Sequence, residues 1–232
     1  FTTLWDARLE PGSALRTPTE TAEAAARDHT ITTALLDGRV VAGDAKLGRD
    51  LLSKLWDRLR GDTLEKFVAA KRQEMAERRG KFGGSVYLLE PNVKTGVGGL
   101  RDLATALWIF RARHRAAGIT GVARLGFLPR AEVEALRNAR DFILRVRCQL
   151  HLQARRRDDR LTFVAQTAAA QALGYVDAPG ELAVERFMRD FYVAAQAVQQ
   201  ASDALVDRCT SEAHLRRRPI RARALDDDLE AW

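Results

Sequence analysis

A chain of 232 residues with 46% hydrophobic content is long enough for one large domain, or one and a half ordinary ones, with a real core. Its 38 basic and 31 acidic residues leave a net charge of +7, but nearly all the basic residues are arginines scattered among Asp and Glu, a mixed-sign pattern typical of a solvated, ion-paired surface. The densest basic runs, 154–160 and 215–223, carry no aromatic residues on which bases could stack, and no apolar run approaches the roughly 18 residues of a membrane span, so neither nucleic acid nor a membrane is an expected partner.

Residues 1–9, FTTLWDARL, alternate well enough for a strand, which the EPGS stretch then breaks. Thr17, Pro18 and Glu20 form a capping-box start for a helix across TPTETAEAAARD, and a second helical segment is expected at about 30–42. Asp44 can cap a helix to about Arg60, with Leu47, Leu51, Leu52, Leu55 and Leu59 on one side. Asp62 starts the next, to about Arg79, on an apolar stripe of Leu64, Phe67, Val68 and Met75. Val86–Leu89 is short, apolar and bounded by Gly and Pro, which predicts a strand.

The stretch EPNVKTGVGGLRDL (Glu90–Leu103) follows, and it opens onto a helix from Leu100 to about Ala117 that Gly118 should stop. Pro129 fits the first turn of the longest helix, about 130–154, with Val133, Leu136, Ile143, Leu144, Val146 and Leu150 buried. A shorter helix is expected at 164–173, closed by Gly174, and a last long one at 180–208 with Leu182, Phe187, Phe191, Val198 and Leu205 inside. The divisions are 1–90, 91–210 and a linker at 211–232. The expected fold class is mainly α, with a strand at the N-terminus and a helical, bundle-like body. The opening without Met and the unfinished close are read as those of a segment from a longer chain.

The glycine loop is neither a P-loop nor a dinucleotide fingerprint, because GxxxxGK[ST] is absent and Arg101 stands where the third glycine of GxGxxG belongs. Two readings of it stay open. Successive amides of a Gly-rich turn running into a helix N-terminus form an anion cradle, here flanked by Lys94 and Arg101. Alternatively, Gly98–Gly99 only permits close packing, and Arg101–Asp102 is a local ion pair. Asp6 raises a similar choice, since a carboxylate in an apolar strand is costly unless paired or metal-bound, and Arg8 is as simple a partner as a metal. Cys148 and Cys209 have no metal-knuckle spacing, which fits a reducing, cytoplasmic setting. His151, four residues after Arg147 on one helical face, is read as a hydrogen-bonded structural histidine.

Several stretches occur in one order: LWDARLEPGSALRT (4–17), LLDGRVVAGD (35–44), SVYLLEPNVKTGVGGLRDL (85–103), LHLQARRRDDRLTF (150–163), ALGY (172–175) and VERFMRDFY (184–192). Together they resemble the bacterial bifunctional uridylyltransferase/uridylyl-removing enzymes that act on the PII signal protein. A related glutamine synthetase adenylyltransferase, and a helical protein-docking module without nucleotide contact, are the alternatives. The resemblance implies that residues 1–90 are the end of an α+β nucleotidyltransferase domain and its connecting helices, whose Gly-Ser loop and paired Asp-x-Asp lie upstream of residue 1. It implies UMP transfer from UTP to a PII tyrosine with Mg²⁺ or Mn²⁺, and an inactive segment when taken alone. Asp6 would be a catalytic carboxylate and metal ligand, while Arg16, Lys94, Gly98, Gly99 and Arg101 would face the nucleotide or its phosphates. No His-Asp dyad of the removing activity is present around His29, His114, His151 or His214. The family commonly has Asp where this chain has Asn92, and a different pair at Ser13–Ala14.

Overall fold

The structure, a computed structural model, describes residues 2–7 and 12–211. Among these residues it is helical, without a strand, and it divides into two compact units, Phe1–Thr63 and Leu64–Trp232. The division falls in the first turn of a helix, whereas the sequence placed its boundary at 90/91.

The first unit contains α1 (Thr2–Asp6), α2 (Pro18–Arg27), α3 (His29–Leu36) and α4 (Ala45–Arg58). The capping box forms as its spacing predicts: Glu20 N donates to Thr17 Oγ1 at 3.2 Å and Thr17 N donates to Glu20 Oε2 at 2.8 Å. Asp28 and Asp44 cap α3 and α4 through the amides of Thr30 and Lys46. Helix α2 packs on α3 and α4, and its small face, Ala22 and Ala25, lets Leu36, Leu55, Trp56 and Leu59 become buried in that unit. Leu47, expected on the inner face of α4, is 60% exposed. The segment Thr2–Asp6 is a helical turn rather than the expected strand. No strand among the described residues offers it a ladder, so its backbone bonds locally, with Ala7 N donating to Thr3 O. Residues 8–11 of that expected strand and its break lie outside the described residues, as do 212–232 of the expected linker.

The second unit holds most of α5 (Gly61–Lys81), then α6 (Leu100–His114), α7 (Gly118–Arg124), α8 (Arg130–Ala154), α9 (Phe163–Ala172) and α10 (Ala183–Thr210). Helix α10 is the central rod, packed along α6, α8 and α9. Its apolar face, Phe187, Phe191, Val198 and Leu205, is buried together with Ile109 and Phe110 of α6 and Leu136, Ile143 and Val146 of α8. Burial of this many large side chains, at about 1.5–3 kcal/mol each, is the main stabilising contribution to this unit.

Helix α3 ends at Leu36 rather than at about 42, where Gly38 N closes a turn on Leu35 O, and two further segments differ from expectation for identifiable reasons. Helix α6 ends at His114 because Arg115 takes a left-handed conformation (φ 53°), and Gly118 opens the unforeseen α7 instead of closing α6. Val86–Leu89 is an irregular strap without ladder partners among the described residues. Its carbonyls are taken up by side chains, Leu88 O by Tyr192 Oη at 2.9 Å and Leu89 O by Gln166 Nε2 at 2.6 Å.

At the end of α6, His114 is wedged against Phe110 and Phe127, with ring centroids 5.2 and 4.4 Å away. Burial, and then the neighbouring Arg113 charge, push its imidazole down to about 4 from an ordinary value near 6.5. The folded state therefore resists a proton that the unfolded chain accepts, so stability is full above about pH 6.5 and falls as pH drops toward about 4. Urea titrations across that interval should show this loss, and His114→Phe should flatten it.

Candidate functional site

The glycine turn is built by one asparagine and one aspartate. Asn92 Oδ1 accepts from the amides of Lys94 and Thr95 at 3.0 and 2.7 Å, and Asn92 O accepts from Gly96 N at 2.9 Å. A carboxylate oxygen at this position could accept the same two bonds, so Asn92 preserves the turn despite its departure from the commoner Asp. Gly99 N then bonds Gly96 O, Leu100 N bonds Val93 O at 3.1 Å and Arg101 N bonds Lys94 O at 2.7 Å. Gly98 N donates to Asp102 Oδ2 at 3.0 Å.

These internal bonds decide between the two readings of the loop. The amides of Lys94, Thr95, Gly96, Gly98, Gly99, Leu100 and Arg101 all donate within the turn and the start of α6, so they are not open to an anion. Gly98 has φ +69°, and a Cβ there would lie 2.1 Å from Ala195 O of α10. At Gly96 a Cβ would meet Asn92 O at 2.5 Å. The glycines allow the turn to coil on itself and touch α10, so the expected backbone contact of Gly98 and Gly99 with phosphate is replaced by packing.

Asp102 holds this turn in place. Its carboxylate is 0% exposed. It accepts from Arg78 Nη2 at 2.7 Å, from Arg79 Nε at 2.8 Å and from Gly98 N. Arg79 Nη1 reaches on to Asp203 Oδ1 of α10 at 2.7 Å. One carboxylate thus ties α5, the glycine turn and α6 together, and Arg79 extends the tie to α10. Burial disfavours the Arg79 charge, but Asp102 and Asp203 outweigh it and raise its pKa further. The cluster is donor-rich: Arg78 Nε and Nη1 and Arg79 Nη2 are buried without an acceptor among the described residues, as is Ser202 Oγ. The local Arg101–Asp102 ion pair of the alternative reading is not formed, since Asp102 pairs with Arg78 and Arg79.

Arg101 turns instead toward Trp108, with its guanidinium 5.5 Å from the ring centre and Lys71 Nζ at 5.7 Å. Lys71 also bonds Glu74 Oε2 at 2.6 Å. Burial opposes ionisation of Glu74, but this bond and the surrounding Lys71, Arg78 and Arg101 charges hold its carboxyl below the usual range. Lys94 is half-buried at the rim of the turn, and its ammonium has no hydrogen bond or ion pair among the described residues. Asp6 is exposed at the end of α1, and Arg16 is exposed beside Glu20. Both belong to the first unit, while Lys94, Gly98, Gly99 and Arg101 share one turn of the second.

A second tether holds the turn from the other side. Asn92 and Arg160 form an isolated antiparallel bridge, with Val93 N on Asp159 O at 2.9 Å and Leu161 N on Pro91 O at 2.8 Å. Asp159 Oδ1 accepts from Arg147 Nε at 2.7 Å and meets His151 Nε2 at 2.9 Å, so His151 is the structural histidine its spacing suggests. Burial opposes the Asp159 charge, but these two bonds prevail and keep its carboxyl low. The decisive residues that spacing did not single out are Arg78, Arg79, Asp159 and Asp203. The one available signal was the adjacent Arg78–Arg79 pair at the end of a helix.

The fold and turn define a helical module organised on an internally bonded glycine turn. A family model described as GlnD PII-uridylyltransferase matches residues 66–206, and the chain belongs to that family. It is 43% identical over 195 residues to the bifunctional uridylyltransferase/uridylyl-removing enzyme of Novosphingobium aromaticivorans, covering 84% of this chain and 21% of that protein. The enzymes of the same name from Cereibacter sphaeroides and Pseudomonas putida are 42% and 37% identical, over 84% and 89% of this chain and 21% and 23% of theirs. The chain thus spans about a fifth of the length of these curated relatives. No solved structure matches it.

Replacing Gly98 by Ala should destabilise the second unit by at least ~2 kcal/mol, since the Cβ meets rigid helix backbone and positive φ disfavours it. Asp102→Ala should cost about 3–5 kcal/mol, because the buried Arg78 guanidinium loses its counter-charge and Arg79 keeps only Asp203. Chemical denaturation of the two variants beside the parent measures both.

Proposed function

We propose that the chain is the helical portion of a cytoplasmic uridylyltransferase that moves UMP from UTP onto a tyrosine hydroxyl of the PII signal protein. In this reaction the tyrosyl oxygen bonds to the α-phosphorus as the bond to pyrophosphate breaks, and the hydroxyl proton leaves. The observation that supports this reading best is the family match across residues 66–206, which includes the glycine turn, Asp102 and the Asp159 tether. The three relatives named above carry uridylyl chemistry in their names, which favours it over the adenylyltransferase alternative.

In this reading the turn positions side chains and does not bind phosphate through its amides. Lys94 is the foremost candidate to face the nucleotide, because its ammonium is unengaged among the described residues while the backbone beneath it is fixed. Arg101 and Arg16 are secondary candidates. Mg²⁺ or Mn²⁺, with Asp6 as one ligand, belongs to the same proposal. The described residues contain no group of three or more His, Cys, Asp or Glu suited to a metal, so Asp6 alone does not make a fitting site. The 232-residue chain taken alone is expected to transfer no UMP.

A second reading, a docking module without nucleotide contact, is favoured by the internal bonding of the turn and by the exposed Tyr87, Leu89 and Phe163 around the strap. The two separate in the full-length protein bearing Lys94→Ala, assayed with labelled UTP and PII. A side chain on the nucleotide predicts a fall of about 10- to 100-fold in UMP transfer with PII binding intact. Unchanged transfer would remove Lys94 from the site and leave the docking role.

A further inference from the structure

Away from the glycine turn, the second unit contains an open pocket of about 470 Å³ where the α9–α10 connection crosses α8 and α10. Its walls are Phe142 and Arg145 of α8, Leu173 to Val176 of the connection, and Arg186 and Asp190 of α10. The volume lies in the range of small-molecule sites.

The aromatic wall is fixed from behind. Phe187, fully buried, packs edge-on against Tyr175 at 5.6 Å and tilted against Phe142 at 6.2 Å. The Tyr175 hydroxyl donates to Asp190 Oδ2 at 2.7 Å, which holds that ring in one orientation. Burial, and then Asp190, push the phenol up to about 12, while the charges of Arg145 and Arg186 pull the other way, so both guanidinium fields reach this hydroxyl.

The cations differ in how far they are engaged. Arg186 Nη1 donates to Val176 O at 3.1 Å, and its Nε lies 3.8 Å from Glu181 Oε2. Glu181 is shared with Arg189, which also approaches Asp190 at 4.0 Å. Arg145 lies with its guanidinium 5.9 Å from the Phe142 ring centre and has no ion pair among the described residues. Among the lining residues, Arg145 and Arg186 stand against Asp190, so the wall of the pocket carries one positive charge in excess.

We infer that this pocket binds a small ring-bearing oxyanion, an aromatic carboxylate or an aryl phosphate, whose ring lies on Phe142 and Tyr175 and whose anionic group meets Arg145. Arg145 supplies the planar fork that such an oxyanion takes in two-point contact. Ring burial supplies what inorganic phosphate or acetate lacks. Asp190 opposes the ligand charge, and its bond to Tyr175 limits that opposition. This inference does not depend on the uridylyl reading.

Benzoate and phenyl phosphate, titrated into the isotope-labelled chain and followed by NMR at the Gly174 amide and the Tyr175 and Phe142 rings, test it. Saturable shifts at these positions are expected, with at least one probe binding about tenfold or more tighter than acetate or inorganic phosphate. The tighter of the two identifies the anionic group. Arg145→Gln should weaken binding about tenfold or more and leave the thermal midpoint in place, because the side chain is exposed and unpaired among the described residues. Asp190→Asn should tighten it. No saturable shift with either aromatic probe, equal affinity for acetate or inorganic phosphate, or indifference to Arg145→Gln would overturn the assignment.

Discussion

The carboxylate of Asp102 is the constraint on which the second unit is arranged. Taking it out of water costs several kcal/mol, and only its full set of donors offsets that cost. Arg78, Arg79 and the Gly98 amide supply the set. The two arginines come from α5 and the amide from the turn, while the carboxylate itself starts α6, so it is satisfied only when the two helices and the turn between them are in register. Arg79 then engages Asp203, and α10 is drawn into the same register. The contribution is to uniqueness of arrangement more than to net stability, since the hydrophobic contacts along α10 supply the larger share of the latter.

Much of the helical pattern was legible in the sequence because it rests on local chemistry. The Thr17–Glu20 box, the Asp44 cap, the Phe67–Val68–Met75 stripe and most of the inner faces of α8 and α10 appear where spacing puts them, but Leu182, expected inside, precedes α10 as its N-cap and is 55% exposed. Leu144, taken for core, is 39% exposed because its neighbour Ile143 already occupies the buried face. Both expected strands failed for one reason. Short apolar segments are ambiguous until a ladder partner is found, and neither Thr2–Asp6 nor Val86–Leu89 has one among the described residues.

The turn shows the harder limit. A Gly-rich run with Lys94 and Arg101 beside a helix start has the same composition whether it cradles an anion or makes a close contact. What separates the two is Ala195, far along the chain, whose carbonyl fills the space a side chain at Gly98 would need. Arg78, Arg79 and Asp203 were equally hidden, because each looks like solvated surface until the helices are assembled. His151 was readable because its partner Arg147 lies one turn earlier on the same helix, and both converge on Asp159. Family membership rests on ordered stretches spanning these tethers, and so does not depend on what the turn itself binds.

Helix α10 brings a mechanical consequence. At about 1.5 Å of rise per residue, Asp190, Ala195 and Asp203 sit along one stiff shaft roughly 20 Å from first to last. One station borders an open chamber, the next is butted against a glycine, and the third is bolted to an arginine. With a methyl's width already denied at the middle station, the shaft has almost no axial play. A slip of about an ångström would strain the arginine bolt and the glycine contact together, so the two stations hold the shaft in one register.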